Sequence, residues 1–400
     1  MLPTPNPDIA FHAFAGGGAL HYSGSHRLWV LNVTAATLWC LMDGRHDNRA
    51  LADAYARRFD LDDATARRDV KTLLSHFAEE GLLNGGNPAK EQDIQASHPL
   101  ETPLVYKRLQ ASLSGLPRMT FSLAGHCFAV AGSTEGIAGI QPTLFRHLAV
   151  PDAAERTELV FRSEGAQDRP SFTCYENGLG CAENLTPEGV TPFLVYRLFE
   201  QCMASLDQRL LFHAAVVAQD GRVLLLPAQS GSGKSTLAAA LSVSGWTYLS
   251  DELAVLDPQT LCVEPFALPI GLKDKSMTAL ADFIPAVADL PRHVRMDGVG
   301  IRYLPPPSPP RPSPLPVSAL VFPCYKSAAP AAITVLKPLE ALQRLTDTGS
   351  SARPLMSQDI KAMLQLASLP SYTLTFSDLE RAVEAIKERF GFYGFKDLKI

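Results

Sequence analysis

The chain of 400 residues has no apolar run approaching the length of about 20 residues that a membrane-spanning helix needs. Its N-terminus has neither the basic segment nor the apolar segment of a secretory signal peptide. A large excess of one sign of charge is also lacking, since the chain has 36 Lys and Arg and 41 Asp and Glu, for a formal net charge of −5. These absences predict a cytoplasmic protein without a broad membrane-binding or nucleic-acid-binding surface.

Cysteine is sparse and unpatterned: seven residues are scattered along the chain without a C-x-x-C pair. Disulfide-rich scaffolds and structural zinc sites need denser, regularly spaced cysteines. We therefore expect reduced thiols, as in a cytosol. The apolar fraction of 46% and the charged fraction of 19% are those of an ordinary globular chain of two or three domains.

The most informative motif that is present is a phosphate-binding loop at residues 227–236, Pro-Ala-Gln-Ser-Gly-Ser-Gly-Lys-Ser-Thr. It follows an apolar run at 222–226 and precedes a helix-compatible run at 237–241. This order of strand, loop and helix is the one in which the motif binds phosphate. Ala228 stands where the motif has its first glycine, and the alternative is a glycine-rich turn without a ligand. Because backbone N–H groups cradle phosphates, lysine reaches the outer phosphates and serine ligates Mg²⁺, the loop predicts ATP and Mg²⁺ as cofactors. The predicted cofactor-binding residues are Ser230, Gly231, Ser232, Gly233, Lys234, Ser235 and Thr236.

Two adjacent carboxylates, Asp251 and Glu252, follow the strand-like segment after the loop's helix. Magnesium that bridges phosphates needs an anionic protein ligand, and a hydroxyl acceptor needs a group that takes its proton. We predict that Asp251 joins Ser235 on the metal, and that Glu252 is the base or a second metal contact. Without the loop, an acidic pair at a strand edge is a solvated turn.

Three further residues are candidates for catalysis. His213 lies on the strand before the loop, where a lone histidine is either a satisfied core residue or a member of the active site. Lys273 and Arg302 are cations that could neutralise charge in a transition state, although each taken singly reads as a surface cation.

Residues 212–217, the loop, and residues 245–252 resemble the core of the HPr kinase/phosphorylase superfamily, over about residues 115–345. The resemblance implies a P-loop domain with a mixed sheet, similar to PEP carboxykinase, with His213 and Asp251 in the active site and Lys234 and Ser235 on phosphate and magnesium. It also implies a homo-oligomer. Three residues depart from the family pattern: Ala214 for glycine, Thr236 for glutamate and Glu252 for aspartate. These departures are compatible with a kinase, but they argue against the family's reverse phosphorolysis reaction and against HPr as the substrate.

Residues 1–84 resemble a PqqD-type winged-helix domain. The resemblance lies in Leu-Asn-Val-Thr-Ala-Ala-Thr-Leu-Trp-Cys-Leu-Met-Asp-Gly at 31–44, Phe-Asp-Leu-Asp at 59–62, Asp-Val at 69–70 and Leu-Leu at 82–83. Such domains bind the leader segment of a ribosomally made precursor peptide, as RiPP recognition elements. The resemblance implies that the peptide adds a strand to the wing and packs against the third helix. A DNA-binding winged helix is the alternative, but carboxylates surround Arg67, Arg68 and Lys71.

The predicted fold class is thus α+β or α/β, in three parts: a PqqD-like peptide-binding domain at 1–84, a linker at 85–110, and an HPr-kinase-like domain at 111–400 with a C-terminal helical extension. The predicted function is an ATP-dependent serine/threonine peptide kinase whose peptide is recruited by residues 1–84. The alternatives are a kinase acting on a small metabolite, and a non-catalytic peptide-binding scaffold gated by nucleotide. Neither nucleic acid nor membrane is an expected partner.

Overall fold

The computed structural model describes residues 2–14, 17–22, 27–88, 116–133, 137, 140–151, 156–164, 170–203, 205–307, 313–350 and 353–391. The chain divides into two compact units. The first, called the N-terminal unit, contains residues 1–99, 336–347 and 353–371, and the second, called the central unit, contains 100–335, 348–352 and 372–400. Most of the predicted linker, residues 89–110, lies outside the described residues.

Helices and strands are mixed in both units, which confirms the predicted combination of α and β structure. The strands of the described residues are β1 Ile9–Phe14, β2 Gly17–Tyr22, β3 Leu28–Asn32, β4 Arg118–Leu123, β5 His126–Gly132, β6 Thr157–Glu164, β7 Ser171–Glu176, β8 Leu179–Leu185, β9 Leu210–Gln219, β10 Arg222–Pro227, β11 Thr247–Ser250, β12 Leu253–Leu256, β13 Cys262–Glu264, β14 Ile270–Lys273, β15 Arg292–Val294, β16 Gly300–Leu304, β17 Leu315–Tyr325, β18 Ala332–Val335, β19 Gly349–Ser350 and β20 Ser371–Phe376. The α-helices are α1 Val33–Leu41, α2 Asn48–Phe59, α3 Asp63–Glu79, α4 Pro187–Met203, α5 Lys234–Val243, α6 Met277–Leu280, α7 Pro338–Thr348, α8 Ser357–Ser368 and α9 Leu379–Phe390. Short 3-10 helices span Pro142–Leu148, Asp274–Ser276 and Pro285–Asp289.

The N-terminal unit is built on an antiparallel sheet of order β1-β2-β3, followed by the helices α1 to α3. Each of these helices begins after a side chain that accepts a hydrogen bond from the backbone N–H three residues later; the caps are Asn32, Asp47 and Asp62. Such caps satisfy N–H groups that the helix leaves unpaired. The apolar faces of the helices and of the sheet share one core, in which Trp39 packs edge-on against Phe77.

The N-terminal unit also includes α7 and α8, although the sequence prediction assigned them to the second domain. Leu20 of β2 faces the core, and the neighbouring His21 is on the opposite face of the sheet. His21 is nevertheless buried, and the carboxylate of Asp359 in α8 acts on it electrostatically. The segment that contains α8 is therefore part of this unit's structure.

In the central unit, the sheet that carries the predicted site runs β10-β9-β12-β13-β17-β20-β18 within the described residues, and β11 and β19 also pair with β9. Its core includes Trp246, Tyr248 and Phe390, together with the small side chains of α5. A second sheet, β4-β5-β6-β7-β8, packs its aromatic residues against α4, and a third has the order β14-β16-β15.

The pairing of β9 brings the predicted site together. Ala214 is opposite Pro227 at the end of β10, and His213 is opposite Leu253 at the start of β12. The glycine-rich loop after β10 and the carboxylates before β12 therefore meet at the same part of β9. Among the described residues, no helix is both long and apolar enough to cross a membrane.

Candidate functional site

The glycine-rich loop, residues 228–233, connects β10 to α5. Gly231 and Gly233 have φ angles of +90° and +88°, in the left-handed region that only glycine adopts without strain. Ala228 is not among the residues with positive φ. Position 228, where the motif has its first glycine, therefore has a backbone conformation that alanine adopts without strain. Both positions of the loop that have a left-handed backbone are occupied by glycine.

The N-terminus of α5 opens directly from this loop. Gly233 is its N-cap residue and provides no side-chain hydrogen bond. The first N–H groups of a helix have no partner within the helix, and the helix dipole makes them attractive to anions. The hydroxyl oxygen of Ser232 is also buried without a hydrogen-bond partner among the described residues. These donors form the kind of arrangement that holds a phosphate.

Lys234, the first residue of α5, is buried and donates a hydrogen bond from Nζ to the backbone carbonyl oxygen of Asp251. Burial lowers the pKa of the Lys234 amine, and the nearby carboxylate of Asp251 opposes that shift. The contact ties the loop's helix to the segment that carries the acidic pair.

Asp251 is buried beside Lys234, in spite of its charge. Its Oδ1 accepts a hydrogen bond of 2.7 Å from the hydroxyl of Tyr248, and the side chain of Ser235 lies near the carboxylate. Burial raises the pKa of the Asp251 carboxyl, and the charge of Lys234 lowers it. The structure thus brings the two predicted magnesium ligands, Ser235 and Asp251, close together.

Glu252 is on the open side of the site, with 58% of its side chain exposed, and its Oε1 lies 3.5 Å from Nε2 of His213. Burial, together with the positive charge of Lys234, lowers the pKa of His213 to about 4. Because the imidazole is neutral at pH 7, this contact is not an ion pair under those conditions. It places an uncharged ring nitrogen next to an accessible carboxylate.

Residues 273–276, which are the last residue of β14 and the 3-10 helix that follows it, lie against the loop and are called the strap. Nζ of Lys273 donates a hydrogen bond of 3.1 Å to Oγ of Ser230. The hydroxyls of Ser276 and Thr236 are 2.8 Å apart. The strap therefore contacts both the loop and the first turn of α5.

Arg302 contacts the strap rather than the loop. Its Nη1 donates a 2.7 Å hydrogen bond to Oδ1 of Asp274, and its Nε donates to the carbonyl oxygen of Leu290 at 3.0 Å. Arg292 donates to the other oxygen of Asp274, at 3.1 Å from Nη2. The predicted role of Arg302 on transition-state charge stays a prediction, and in this structure the guanidinium holds Asp274.

Sequence reasoning missed Tyr248 and Asp274, which shape the site through other residues. Tyr248 reads as an ordinary strand residue, and Asp274 stands between Lys273 and Lys275 as an apparent surface charge. A weak signal existed for Tyr248, because a hydroxyl-bearing ring three residues before a carboxylate can return to it at the end of a strand.

The described residues contain no cluster of three or more His, Cys, Asp or Glu that could hold a metal ion. Magnesium at a nucleotide site needs no such cluster, since it is bound through one or two protein oxygen ligands, phosphates and water. The adjacent oxygens of Ser235 and Asp251 fit that requirement.

Comparison with known proteins concerns the N-terminal unit. Residues 18–83 match the family model described as "Coenzyme PQQ synthesis protein D (PqqD)". A chain in the solved structure "TbiB1 in Complex with the TbiA(beta) Leader Peptide" is 18% identical, with 20% of this chain and 95% of that chain covered and a TM-score of 0.19. No curated protein matches the chain. The predicted recognition of a PqqD-type domain is thus confirmed, and this protein carries a PqqD domain at residues 18–83.

Proposed function

We propose that the protein is an ATP- and Mg²⁺-dependent kinase that transfers the γ-phosphate to a Ser or Thr hydroxyl of a ribosomally made precursor peptide. The main support is the meeting of Lys234, Ser235 and Asp251 at the uncapped N-terminus of α5. A phosphate-binding loop alone does not distinguish a kinase from a hydrolase or a switch. The pair of His213 and Glu252 beside it adds groups suited to an acceptor hydroxyl.

The loop and α5 are proposed to bind the phosphates of ATP. Backbone N–H groups of Gly231 and of residues 233–236 and the hydroxyl of Ser232 would donate to phosphate oxygens, and Lys234 and Lys273 would supply positive charge. Magnesium, held by Ser235 and Asp251, would supply further neutralisation of phosphate charge. The strap, fixed through Asp274, keeps Lys273 at the loop.

The acceptor hydroxyl is proposed to lie at Glu252, because this carboxylate is accessible whereas that of Asp251 is buried. Glu252 would accept the hydrogen bond of the hydroxyl and orient its oxygen toward the phosphate. Neutral His213 is placed to donate from Nε2 to Glu252 and to fix its direction. Positioning of this kind is the main protein contribution to phosphoryl transfer.

The PqqD domain supports a peptide as the acceptor. A leader segment bound to the N-terminal unit raises the local concentration of the rest of the peptide, so that the phosphorylation site needs to read little sequence. The predicted mode is a strand added to the wing and packed against the third helix. Among the described residues β3 pairs with β2 alone, and we propose that the leader adds at this edge and packs against α3. The alanine at position 228 gives no reason to prefer a non-catalytic scaffold, since its φ angle is not one that requires glycine.

The test is incubation of the full chain with ATP, Mg²⁺ and a small peptide encoded beside its gene, followed by mass spectrometry. We expect the peptide to gain the mass of one phosphate. Lys234→Ala abolishes transfer and leaves peptide binding unchanged, whereas Lys275→Ala, an exposed lysine of the strap, retains transfer. Transfer by Lys234→Ala at the original rate would contradict the proposal. ATP bound without turnover would favour the scaffold, and turnover with a small metabolite alone would favour a metabolite kinase.

A further inference from the structure

A groove of about 640 Å³ opens within the N-terminal unit, between β1 and the helices α1 and α2. Its volume is within the range of about 300–1,000 Å³ that ligand sites occupy. Small and apolar side chains form most of its lining, among them Phe11, Ala13, Val33, Ala36 and Ala54. Val33 is 52% exposed, so the groove presents apolar surface to solvent. An exposed apolar groove in a folded unit is a feature typical of interaction sites.

One wall of the groove is an edge strand. Within the described residues β1 pairs with β2 alone, so its outer backbone groups have no strand partner. Phe11 and Ala13 alternate along this strand and both line the groove. An extended peptide that pairs with such an edge gains main-chain hydrogen bonds, and every second side chain enters the adjacent groove.

The groove is positive at one end. Arg57 and Arg58, in the last turn of α2, are exposed and line it, and neither forms an ion pair with a described residue. None of the described lining residues is acidic. An apolar groove with two exposed arginines at one end is complementary to a peptide that carries apolar side chains and a carboxylate.

We propose that this groove binds an extended peptide segment that adds as a strand to β1, buries small apolar side chains against α1 and α2, and sets a carboxylate against Arg57 and Arg58. The bound segment would belong to the precursor peptide of the proposed function, but its binding to the groove requires no phosphoryl transfer. It is separate from the leader site proposed at β3 and α3, because β1 and β3 are the two opposite edges of the described sheet. The N-terminal unit thereby has two edges from which to read one peptide.

Binding is measured by fluorescence anisotropy with the full chain and without ATP, so that failure of the kinase proposal leaves this test intact. The probes are two fluorescein-labelled octapeptides that alternate Val and Thr, so that every second side chain can enter the groove. The first and last Val are replaced by Glu in one probe, called acidic, and by Lys in the other, called basic, so that the charges lie on the same face as the remaining Val side chains. We expect the acidic probe to bind about tenfold tighter than the basic one, from two exposed charge pairs of roughly 0.5–1 kcal/mol each.

Arg57→Glu with Arg58→Glu is expected to reverse the preference, so that the basic probe binds tighter. The matched control is Arg67→Glu with Arg68→Glu, which makes the same change of charge on exposed residues of α3 and keeps the preference for the acidic probe. Ala54→Trp, which fills the groove without a charge, is expected to weaken both probes about tenfold. Three results would overturn the proposal: equal binding of the two probes, an unchanged preference in the Arg57/Arg58 variant, or loss of preference in the Arg67/Arg68 variant, which would place the peptide at α3.

Discussion

Substitution of the loop glycines by alanine should separate two effects, backbone strain and steric contact. Gly231 and Gly233 have nearly the same φ, +90° and +88°. A Cβ at Gly231 would meet no atom within 4 Å, whereas a Cβ at Gly233 would lie 3.1 Å from Cζ of Phe376. The two variants therefore share the backbone penalty and differ in the contact.

The expected magnitudes follow from these distances. A non-glycine residue in the left-handed region costs about 1–2 kcal/mol. Gly231→Ala should show that amount, as a fall of a few degrees in Tm. Gly233→Ala should show about 1 kcal/mol more, because carbon atoms prefer separations of about 3.5–4.0 Å and the Phe376 ring must move. If the loop instead changes its conformation to relieve the strain, stability is kept and the same free energy must be supplied when ATP binds. ATP affinity should then be about tenfold weaker, since 1.4 kcal/mol corresponds to a tenfold change in Kd.

The assay is calorimetric unfolding together with ATP titration of the wild-type chain and three variants, Ala228→Gly being the third. Since Ala228 is not in the left-handed region, glycine at this position should lower stability by about 0.4–1 kcal/mol through the unfolded chain and should not tighten ATP binding. Equal effects of alanine at 231 and 233 would refute the contact argument. A tenfold gain in ATP affinity from Ala228→Gly would refute the claim that alanine suits the loop backbone.

The other predictions concern residues around the loop. Tyr248→Phe should raise the Mg²⁺ concentration for half-maximal activity about threefold to tenfold, because the buried carboxylate loses its 2.7 Å donor, whereas Tyr372→Phe, which loses a 2.9 Å hydrogen bond from an arginine, should lower only Tm. Asp274→Asn should raise the KM for ATP about threefold or more by loosening the strap and Lys273, and an unchanged KM would argue against this role. The folded chain protonates His213 at about pH 4 and the unfolded chain near 6.5, so stability should fall as pH drops through that interval. The full shift corresponds to about 3 kcal/mol, reduced to about 1 kcal/mol because a third of the ring is exposed, and His213→Gln should weaken this acid sensitivity of Tm.

Local signals in the sequence predict much of the fold. The sequence predicts a helix from Asn48 through Phe59 and a further helix that starts near Asp62 or Asp63. The structure has α2 at Asn48–Phe59 and begins α3 at Asp63, with Asp62 as its cap. These features depend on residues that are neighbours in the chain, so that capping residues and apolar periodicity can be recognised in the sequence. By contrast, α8 was not predicted: the residue before it is Met356, which lacks a conventional capping side chain, and Asp359 accepts from the backbone N–H of Met356 instead.

The candidate site divides in the same way. The loop and its acidic pair could be predicted because the motif fixes their order and spacing. The environment of His213 could not, since it depends on pairing with Leu253, forty residues away in the chain. The partner of Arg302 could not be predicted either, because Asp274 is 28 residues distant and directly follows β14, whose pairing with β16 is set by tertiary contacts.

The division of the N-terminal unit into three stretches of chain has a consequence for biosynthesis. Its sheet and first helices leave the ribosome early, but α7 and α8 are made only after nearly all of the strands that form the nucleotide loop and its surroundings. Until then, the face of β2 that carries His21 lacks the helix that lies beside it in the finished protein. A polypeptide that terminates before residue 336 would therefore have an N-terminal unit without α7 and α8, and with this face of β2 uncovered by α8.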